Sequence, residues 1–518
     1  MSGLFAGTAK ILAVQSHESL WHGRVNDIGV PGQAGYGVGI CPPELLPMGM
    51  MPLPGCYSRG HKDYGNYRYQ DGSIMCWIPA FYYRITAGTN NVTTRPIDAF
   101  PNVATANAEG FALHRAFYDG GVQQPGFFVD KYQWSANSYA GNVIASSIQN
   151  GNPLSSNSAH NGWGSLLTGL TTADNIHGGA IKAAKTRGPN FHCLSAFQWS
   201  ALALLSLAHG QAAMSTWNCA WYDGAGIKNF PKGNNNNALG DVDDASVIYV
   251  GDGYQNSGKT GSGTPFAKTT HNGQDCGVAD LNGNLWEVSL GLTCIAASTS
   301  ITGATQANPC VITAPGHGRA TGDKVLIAYV GGMTQLNNRL YQITVISPDT
   351  FSLDGVDSTS FGVYTSGGTV AAGTFYVAKQ SVSMKNFTGG NSLATDHWGS
   401  AGVAANFDPI SINFRTDYPN NAFEQKMGNG ANQVLSEGVS GSEWLLTGLG
   451  FPMPNGMSVP GTNSFGLDRY LLSFVNEMCL LFGGSYTAGT IAGIWSIAAA
   501  NTRTISSVQM GARSGLYL

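Results

Sequence analysis

The sequence predicts an α+β protein, rich in loops and short strands, with a small all-β domain inserted late in the chain. Glycine accounts for 70 of the 518 residues, about twice its usual share of ~7%, which disfavours long helices. Residues 191–209 carry apolar side chains at three- and four-residue spacing, which predicts one amphipathic helix ending at Gly210. Residues 298–370 shift to Thr, Val, Gly and Ser in alternating runs, a pattern typical of strands.

The order of these patterns suggests four regions. Residues 1–72 are rich in Gly and Pro and are expected to form an attachment or assembly region. Residues 73–297 begin with β-rich runs at 74–79, 81–85 and 126–132. Residues 298–370 form the insert, with strands at 324–330 and 340–346 separated by turn residues. Residues 371–518 resume the aromatic character of the earlier part.

Charge and hydropathy exclude several classes of protein. Only 11% of residues are charged and the net charge is −4, whereas 43% are hydrophobic, so a packed core is expected rather than disorder. Basic runs that would suit nucleic acid are missing. The start lacks the pattern of a signal peptide, and the longest apolar stretch, residues 201–207, is too short for a bilayer. We expect a soluble chain made in a cytoplasm, without nucleic-acid partner or membrane insertion.

The motif search predicts no catalytic residue, metal or cofactor. Nine scattered cysteines without a C-x-x-C pair are expected to be buried free thiols. No H-x-x-x-H pair occurs, which disfavours a transition-metal site. Asp241, Asp243 and Asp244 could contribute to calcium binding, but their spacing is not that of an EF-hand and favours a solvated loop. Residues 253–260 match the P-loop pattern, yet residues 261–265 cannot continue a helix, so a surface loop is favoured.

Several ordered motifs resemble the formylglycine-generating enzyme superfamily, whose fold is a variant of the C-type lectin. Residues 280–288 (DLNGNLWEV) resemble its G-N-V-W-E-W signature, residues 126–132 its strand G-F-Y-I-D-K-Y-E, and residues 193–199 its helix start. The closing pattern is matched by residues 482–486, Arg503 and residues 510–513. The resemblance implies a C-type-lectin-like domain that is interrupted by the β insert. Its expected scaffold residues are Trp199, Asn284, Trp286, Glu287, Gly483, Gly484, Arg503, Gly511 and Arg513.

The enzymes of this superfamily use either a copper-binding cysteine pair near the C-terminus or an iron-binding H-x-x-x-H-x-E helix. Neither pattern is present. Cys479 has no second cysteine near it in this part of the sequence, and no histidines are spaced as in H-x-x-x-H-x-E. We therefore expect a protein that is not an enzyme. An oxidase of this family with unfamiliar ligands remains an alternative.

The final segment resembles the variable region of diversity-generating retroelement target proteins, such as the phage major tropism determinants. In such proteins, Asn codons of the variable region are changed at adenines only. The positions compatible with this rule, together with Trp495 of the surrounding frame, are the expected ligand-binding residues of segment 485–508. They are Tyr486, Thr487, Ala488, Ile491, Trp495, Ser496, Ala498, Ala500, Asn501, Ile505, Ser507 and Val508. Gln509 does not satisfy the rule. The alternative is that these residue types reflect an ordinary strand, since small and β-branched residues suit any strand.

This resemblance implies a host-recognition adhesin in the virion tail of a phage or prophage. The implied partners are a cell-surface receptor, either protein or glycan, and other tail proteins. A homotrimer is implied by the family alone. A purely structural tail component, with the C-terminal segment as an assembly interface, is the other alternative.

Overall fold

The protein is mostly β. The computed structural model describes residues 25–86, 91–222, 229–393, 395, 402–410, 424–426 and 468–518, so part of the predicted attachment region and of region 371–518 lies outside the described residues. Strands account for 34% of the chain and helices for 16%. The expected α+β, C-type-lectin-like fold is therefore wrong. The glycine-rich chain forms many short strands and turns, and only two of the described α-helices are longer than eight residues.

The helices of the described residues are mostly single turns. The α-helices are Val103–Ala108, Trp163–Leu166, His177–Lys185, Ala196–Ala212 and Val403–Asn406. The 3₁₀ turns are Pro43–Leu45, Ile97–Ala99, Arg115–Phe117, Thr172–Asp174, Phe266–Thr269, Thr334–Leu336, Met384–Asn386 and Gly489–Ile491.

Helix Ala196–Ala212 is the centre of the fold. It starts at Ser195, which forms a capping box with Gln198. Every residue from Ala196 to Gly210 is buried, so the prediction of an amphipathic helix is wrong about its environment, because other elements cover all of its faces. The predicted stop, Gly210, lies inside the helix, and the beginning of the predicted helical segment is instead strand Phe191–Cys193.

A six-stranded antiparallel sheet brings together strands that are far apart in the sequence. Its order is Met50–Pro52, Asn66–Tyr69, Ile74–Pro79, Gly126–Asp130, Ser514–Leu516 and Phe191–Cys193. The predicted strands at 74–79 and 126–132 are thereby confirmed. Strand Ser514–Leu516 pairs on both sides, with Gly126–Asp130 and with Phe191–Cys193, so the C-terminal residues lie inside the sheet.

A second six-stranded sheet holds the C-terminal segment. Its order is Glu424–Lys426, Arg469–Leu472, Gly493–Thr502, Met478–Gly483, Trp286–Ser289 and Met510–Gly511. Strand Gly493–Thr502 is parallel to Arg469–Leu472 and antiparallel to Met478–Gly483. Both edges of this strand are therefore occupied by neighbours.

Smaller sheets complete the main body. Strands Asn91–Pro96, Phe81–Thr86 and Ala112–Leu113 form a three-stranded sheet. Two hairpins are formed by Ser135–Tyr139 with Asn142–Ser146 and by Tyr118–Asp119 with Val122–Gln123.

The segment expected to be an insert forms an extended sheet with its own core. Strands Leu292–Ser300 and Ser366–Ala378 pair along nine consecutive positions and lead out of the main body. Between them the sheet continues through Lys324–Gly331, Arg339–Ser347, Thr350–Leu353, Val311–Thr313 and Gly303–Ala304, and Phe407–Ile410 pairs with Ser366–Ala378. Buried residues from Ile301 to Val370 form a cluster separate from the main core.

The described part of the N-terminal region packs into the main core rather than standing apart from it. Ile28, Tyr36 and Val38 are fully buried in the main cluster. All nine cysteines are buried and free, which confirms the prediction from their spacing. Among the described residues, no helix is long and apolar enough to cross a membrane.

Candidate functional site

Two residues from other parts of the sequence hold the backbone of the C-terminal segment in place. The Trp199 indole N–H of the central helix donates a hydrogen bond of 2.7 Å to the carbonyl oxygen of Ile494. The backbone N–H of Trp495 donates to Oδ2 of Asp468 at 2.9 Å. Burial raises the pKa of the Asp468 carboxyl well above its usual value. A Cβ at Gly493 would lie 2.0 Å from Oδ1 of Asp468, so only glycine permits this approach.

The beginning of the segment is held by its main chain. Gly483 and Gly484 both have positive φ, at 90° and 101°, and they form the bend out of strand Met478–Gly483. The backbone N–H of Tyr486 donates to the carbonyl of Asn284 at 2.9 Å, and the carbonyl of Tyr486 accepts from the N–H of Asn237 at 2.8 Å. The path of the chain here is therefore independent of the side chains at positions 487 and 488.

The end of the segment is anchored to one loop. The Ser507 N–H donates to Oγ of Ser156 at 2.8 Å, and this hydroxyl donates to the Ser507 carbonyl at 2.9 Å. The Ser506 hydroxyl donates to the carbonyl of Ser156 at 2.7 Å. Ring atom Nδ1 of His160 lies 3.3 Å from the carbonyl oxygen of Val508. Again the main chain supplies most of the contacts.

The twelve expected ligand-binding residues divide by exposure. Four are buried and offer no accessible side chain in this chain, namely Tyr486, Trp495, Ser496 and Ala498. Thr487 is exposed and seven others are half-buried, namely Ala488, Ile491, Ala500, Asn501, Ile505, Ser507 and Val508. We call these eight residues the C-terminal surface.

The members of the C-terminal surface do not all lie together. Oε1 of Gln509 accepts hydrogen bonds from the hydroxyls of Thr487, at 3.1 Å, and of Ser485, at 3.0 Å, which joins the two ends of the segment. Asn501 pairs with Cys479 and Gly493 pairs with Gly483. Asn501 is thus eight residues along one strand from Gly493, or roughly 26 Å, and belongs to the opposite end of the sheet.

Sequence reasoning missed a cluster beside this segment. His160 Nε2 lies 2.6 Å from Oδ2 of Asp252, and the ring stacks on Tyr254 with a centroid distance of 4.2 Å. The neighbouring Gln255 accepts a 2.6 Å hydrogen bond from the Tyr486 hydroxyl. Both ring nitrogens of His160 therefore face oxygen atoms of the protein itself. No motif links these positions, which come from separate loops.

The expected scaffold residues are largely buried, and one ion pair dominates them. Nε of Arg513 lies 2.7 Å from Oε2 of Glu287, and Nη2 lies 2.5 Å from Oε1. This bidentate geometry is the strongest form of such a pair. Gln133 also donates to Oε1 of Glu287 at 3.0 Å. Glu287 therefore accepts hydrogen bonds from the buried donors of both Arg513 and Gln133.

The remaining scaffold residues take different roles. Asn284 has a φ of 58° and bonds through its side chain to Gly258 N–H, at 2.8 Å, and to Gln133 Oε1, at 3.0 Å. Trp286 is half-buried and packs against the main core. Gly511 pairs with Glu287, and the backbone of Arg503 bonds to the start of helix His177–Lys185.

The possible ligand motifs are occupied by the protein itself. Oδ1 of Asp241 accepts the backbone N–H groups of Asp243 and Asp244, at 2.9 and 3.1 Å. Oδ2 accepts the N–H of Gly233 at 2.8 Å. Asp241 is 2% exposed, so the acidic loop is organised around a buried carboxylate rather than fully solvated. In the P-loop-like segment, residues 260–265, which follow Lys259, are not helical.

Comparison with known proteins matches one part of the chain. Residues 308–372 match the family model of the ubiquitin-activating enzyme E1 FCCH domain. This segment covers most of the separately packed sheet described above. No curated protein matches the chain. Together with the strand content, the match places the chain among mostly β proteins and does not extend to the C-terminal segment.

Proposed function

We propose that this protein is a receptor-binding protein, a host-recognition adhesin of a phage or prophage tail, and that the C-terminal surface contacts the receptor. One observation carries the proposal. In residues 485–509 the backbone is held by the main chain and by buried partners such as Trp199 and Ser156, whereas the side chains of the C-terminal surface are small or accessible. Such a frame tolerates exchange of side chains without refolding.

The chemistry of the surface favours weak single contacts. Thr487, Ala488 and Ala500 offer little area for a partner, and affinity depends strongly on large anchoring side chains. Presentation of several copies, as in the homotrimer that the resemblance implies, would raise the overall affinity through avidity. A role in a virion tail, together with other tail proteins, is consistent with this design and needs no cofactor.

The test exchanges accessible and buried positions separately. We expect the combined substitution Thr487→Tyr, Ala488→Asn and Val508→Tyr to change binding of the labelled protein to a panel of bacterial cells, with a melting temperature within a few degrees of wild type. The matched control is Ala498→Tyr, which overfills a buried strand position and should unfold the protein. If the accessible set also unfolds it, or leaves binding unchanged, the proposed surface is wrong.

The origin of the surface has its own test. If it is diversified by a retroelement, the DNA near the gene holds a second copy of the codons for residues 486–508 that differs only at adenines, beside a reverse transcriptase gene. Absence of such a copy would leave a fixed binding protein. Occlusion of Thr487 and Val508 in the assembled particle would instead favour a structural tail component.

A further inference from the structure

A cleft outside the C-terminal segment collects positive charge. It has a volume of about 750 Å³ and lies between helix His177–Lys185 and residues 385–389. Three lysines line it, Lys182, Lys185 and Lys385, and none of its lining residues is acidic. The whole chain has only 26 Lys and Arg residues and a net charge of −4. Three ammonium groups around one cleft are therefore a local excess of positive charge.

The three lysines are held to different degrees. Lys185 Nζ donates to the carbonyls of Pro189, at 2.7 Å, and of Lys385, at 2.5 Å, and so joins the two walls of the cleft. Lys182 forms a 2.5 Å ion pair with Asp174. Within the part of the chain that the structure describes, Lys385 forms no ion pair and is exposed. An ammonium group has three donors, so Lys185 keeps one and Lys182 keeps two.

The positive charges act on one another. Burial lowers the pKa of Lys185 to about 8; Cys193 acts in the other direction, the charge of Lys385 adds a smaller lowering, and Asp119 raises the pKa least. An anion between Lys185 and Lys385 would reduce the repulsion between the two ammonium groups.

The rest of the lining is polar at the rim and apolar at the floor. Asn190, Asn386 and Thr388 are exposed and offer amide and hydroxyl groups, whereas Ile181 and Phe387 are buried. Amides and hydroxyls match the hydroxyl groups of a sugar, and lysines match its carboxylate or sulfate. We propose that this cleft binds an acidic saccharide, with its anionic group between Lys185 and Lys385.

This cleft is distinct from the C-terminal surface. The N–H of His177, at the start of the helix, donates to the carbonyl of Arg503 at 3.2 Å. Lys185, which joins the two walls of the cleft, lies at the other end of the same helix, about 12 Å from His177 at 1.5 Å per residue. A saccharide in the cleft would act as a second contact, and its binding does not depend on the function proposed for residues 485–508.

The test uses a tetrasaccharide of galacturonic acid, its methyl ester and a sulfated disaccharide in calorimetric titrations of the full chain at low salt. We expect the acidic tetrasaccharide or the sulfated disaccharide to bind and the neutral ester not to bind. Lys385→Gln should weaken binding by about tenfold, since it removes one charged hydrogen bond. Lys385→Arg should retain binding. Lys324→Gln, the same loss of charge at an exposed site in the inserted sheet, should leave it unchanged.

Several outcomes would overturn the proposal. If the methyl ester binds as tightly as the acidic tetrasaccharide, the cleft does not recognise the charge. If inorganic sulfate binds as tightly as the sulfated disaccharide, the cleft does not recognise the sugar. An equal effect of Lys385→Gln and Lys324→Gln would place the anion elsewhere. Lack of binding by both acidic sugars would exclude the site. Circular dichroism of each variant separates loss of binding from loss of fold.

Discussion

Three buried histidines should make the protein sensitive to mild acid. In each ring Nδ1 accepts a backbone N–H and Nε2 faces an oxygen. His114 accepts from Ala116 and faces the Ser200 hydroxyl, His209 accepts from Gly32 and faces the Asn218 carbonyl, and His271 accepts from Val278 and faces the Gly37 carbonyl. The neutral ring satisfies both contacts, and a proton on Nδ1 would break one of them.

The magnitude follows from the pKa values. Burial lowers the pKa of His114 and of His271 to about 3, and that of His209 to about 4. The unfolded chain takes up these protons near pH 6.5, so stability is fully present above that pH and is lost as the pH falls. Between pH 7 and 5 each ring costs about 2 kcal/mol, or roughly 6 kcal/mol together.

Other groups modify this sum. Burial raises the pKa of Asp280 to about 6, so the folded state binds this proton first and regains about 1 kcal/mol over the same interval. Burial also lowers the pKa of His192 to about 4 and that of His177 well below its usual value, and both add to the loss. With about 2 kcal/mol from His192 added and about 1 kcal/mol from Asp280 subtracted, the net loss is about 7 kcal/mol, a large part of the 5–15 kcal/mol typical of folded domains.

The assay is urea unfolding at pH 7 and pH 5, followed by tryptophan fluorescence. We expect the free energy of unfolding to fall by about 7 kcal/mol. His209→Gln should reduce this fall by about 2 kcal/mol, whereas His61→Gln, at a side chain that is 43% exposed, should not change it. Free energies at the two pH values that agree within about 1 kcal/mol would refute the reasoning.

Three further predictions concern the core. Glu287→Gln leaves the Arg513 guanidinium buried without its charge partner and should cost about 3–5 kcal/mol in urea unfolding. Lys268→Gln, in the partly exposed pair with Asp244, should cost less than about 1 kcal/mol, and equal costs would contradict the prediction. Trp199→Phe removes the donor to Ile494 and should cost about 1–3 kcal/mol by the same measurement, and an unchanged midpoint would show that this bond is replaced. The nine buried thiols should react with a thiol reagent only after unfolding, and fast reaction of several in the native protein would contradict the packing.

The sequence predicts long, regular elements better than short ones. The strands at 74–79 and 340–346 are found because their apolar runs are long enough to show a period. Strands such as Ala112–Leu113 and Met510–Gly511 contain two residues each and have no readable period. The fold class was wrong for this reason, since one long helix stood out in the sequence while much of the β structure did not.

The sequence predicted the exposure of the candidate residues only in part. The codon rule selects positions by residue type, and residue type does not report which way a side chain faces. Ser496 and Ala498 satisfy the rule but lie in a strand with neighbours on both edges, so both are buried. Gln509 fails the rule, yet it joins Thr487 to the end of the segment. The contacts of Ser156 and His160 depend on tertiary structure alone.

The position of strand Ser514–Leu516 makes folding depend on residues that are translated after segment 485–508. This strand lies between Gly126–Asp130 and Phe191–Cys193, and it is synthesised directly after residues 485–508. A frameshift or premature stop within that segment removes an internal strand and leaves two others without their partner. Chains truncated or frameshifted within residues 485–508 would thus misfold and be cleared by proteases, and only chains read in frame through this segment would present the C-terminal surface in a folded protein.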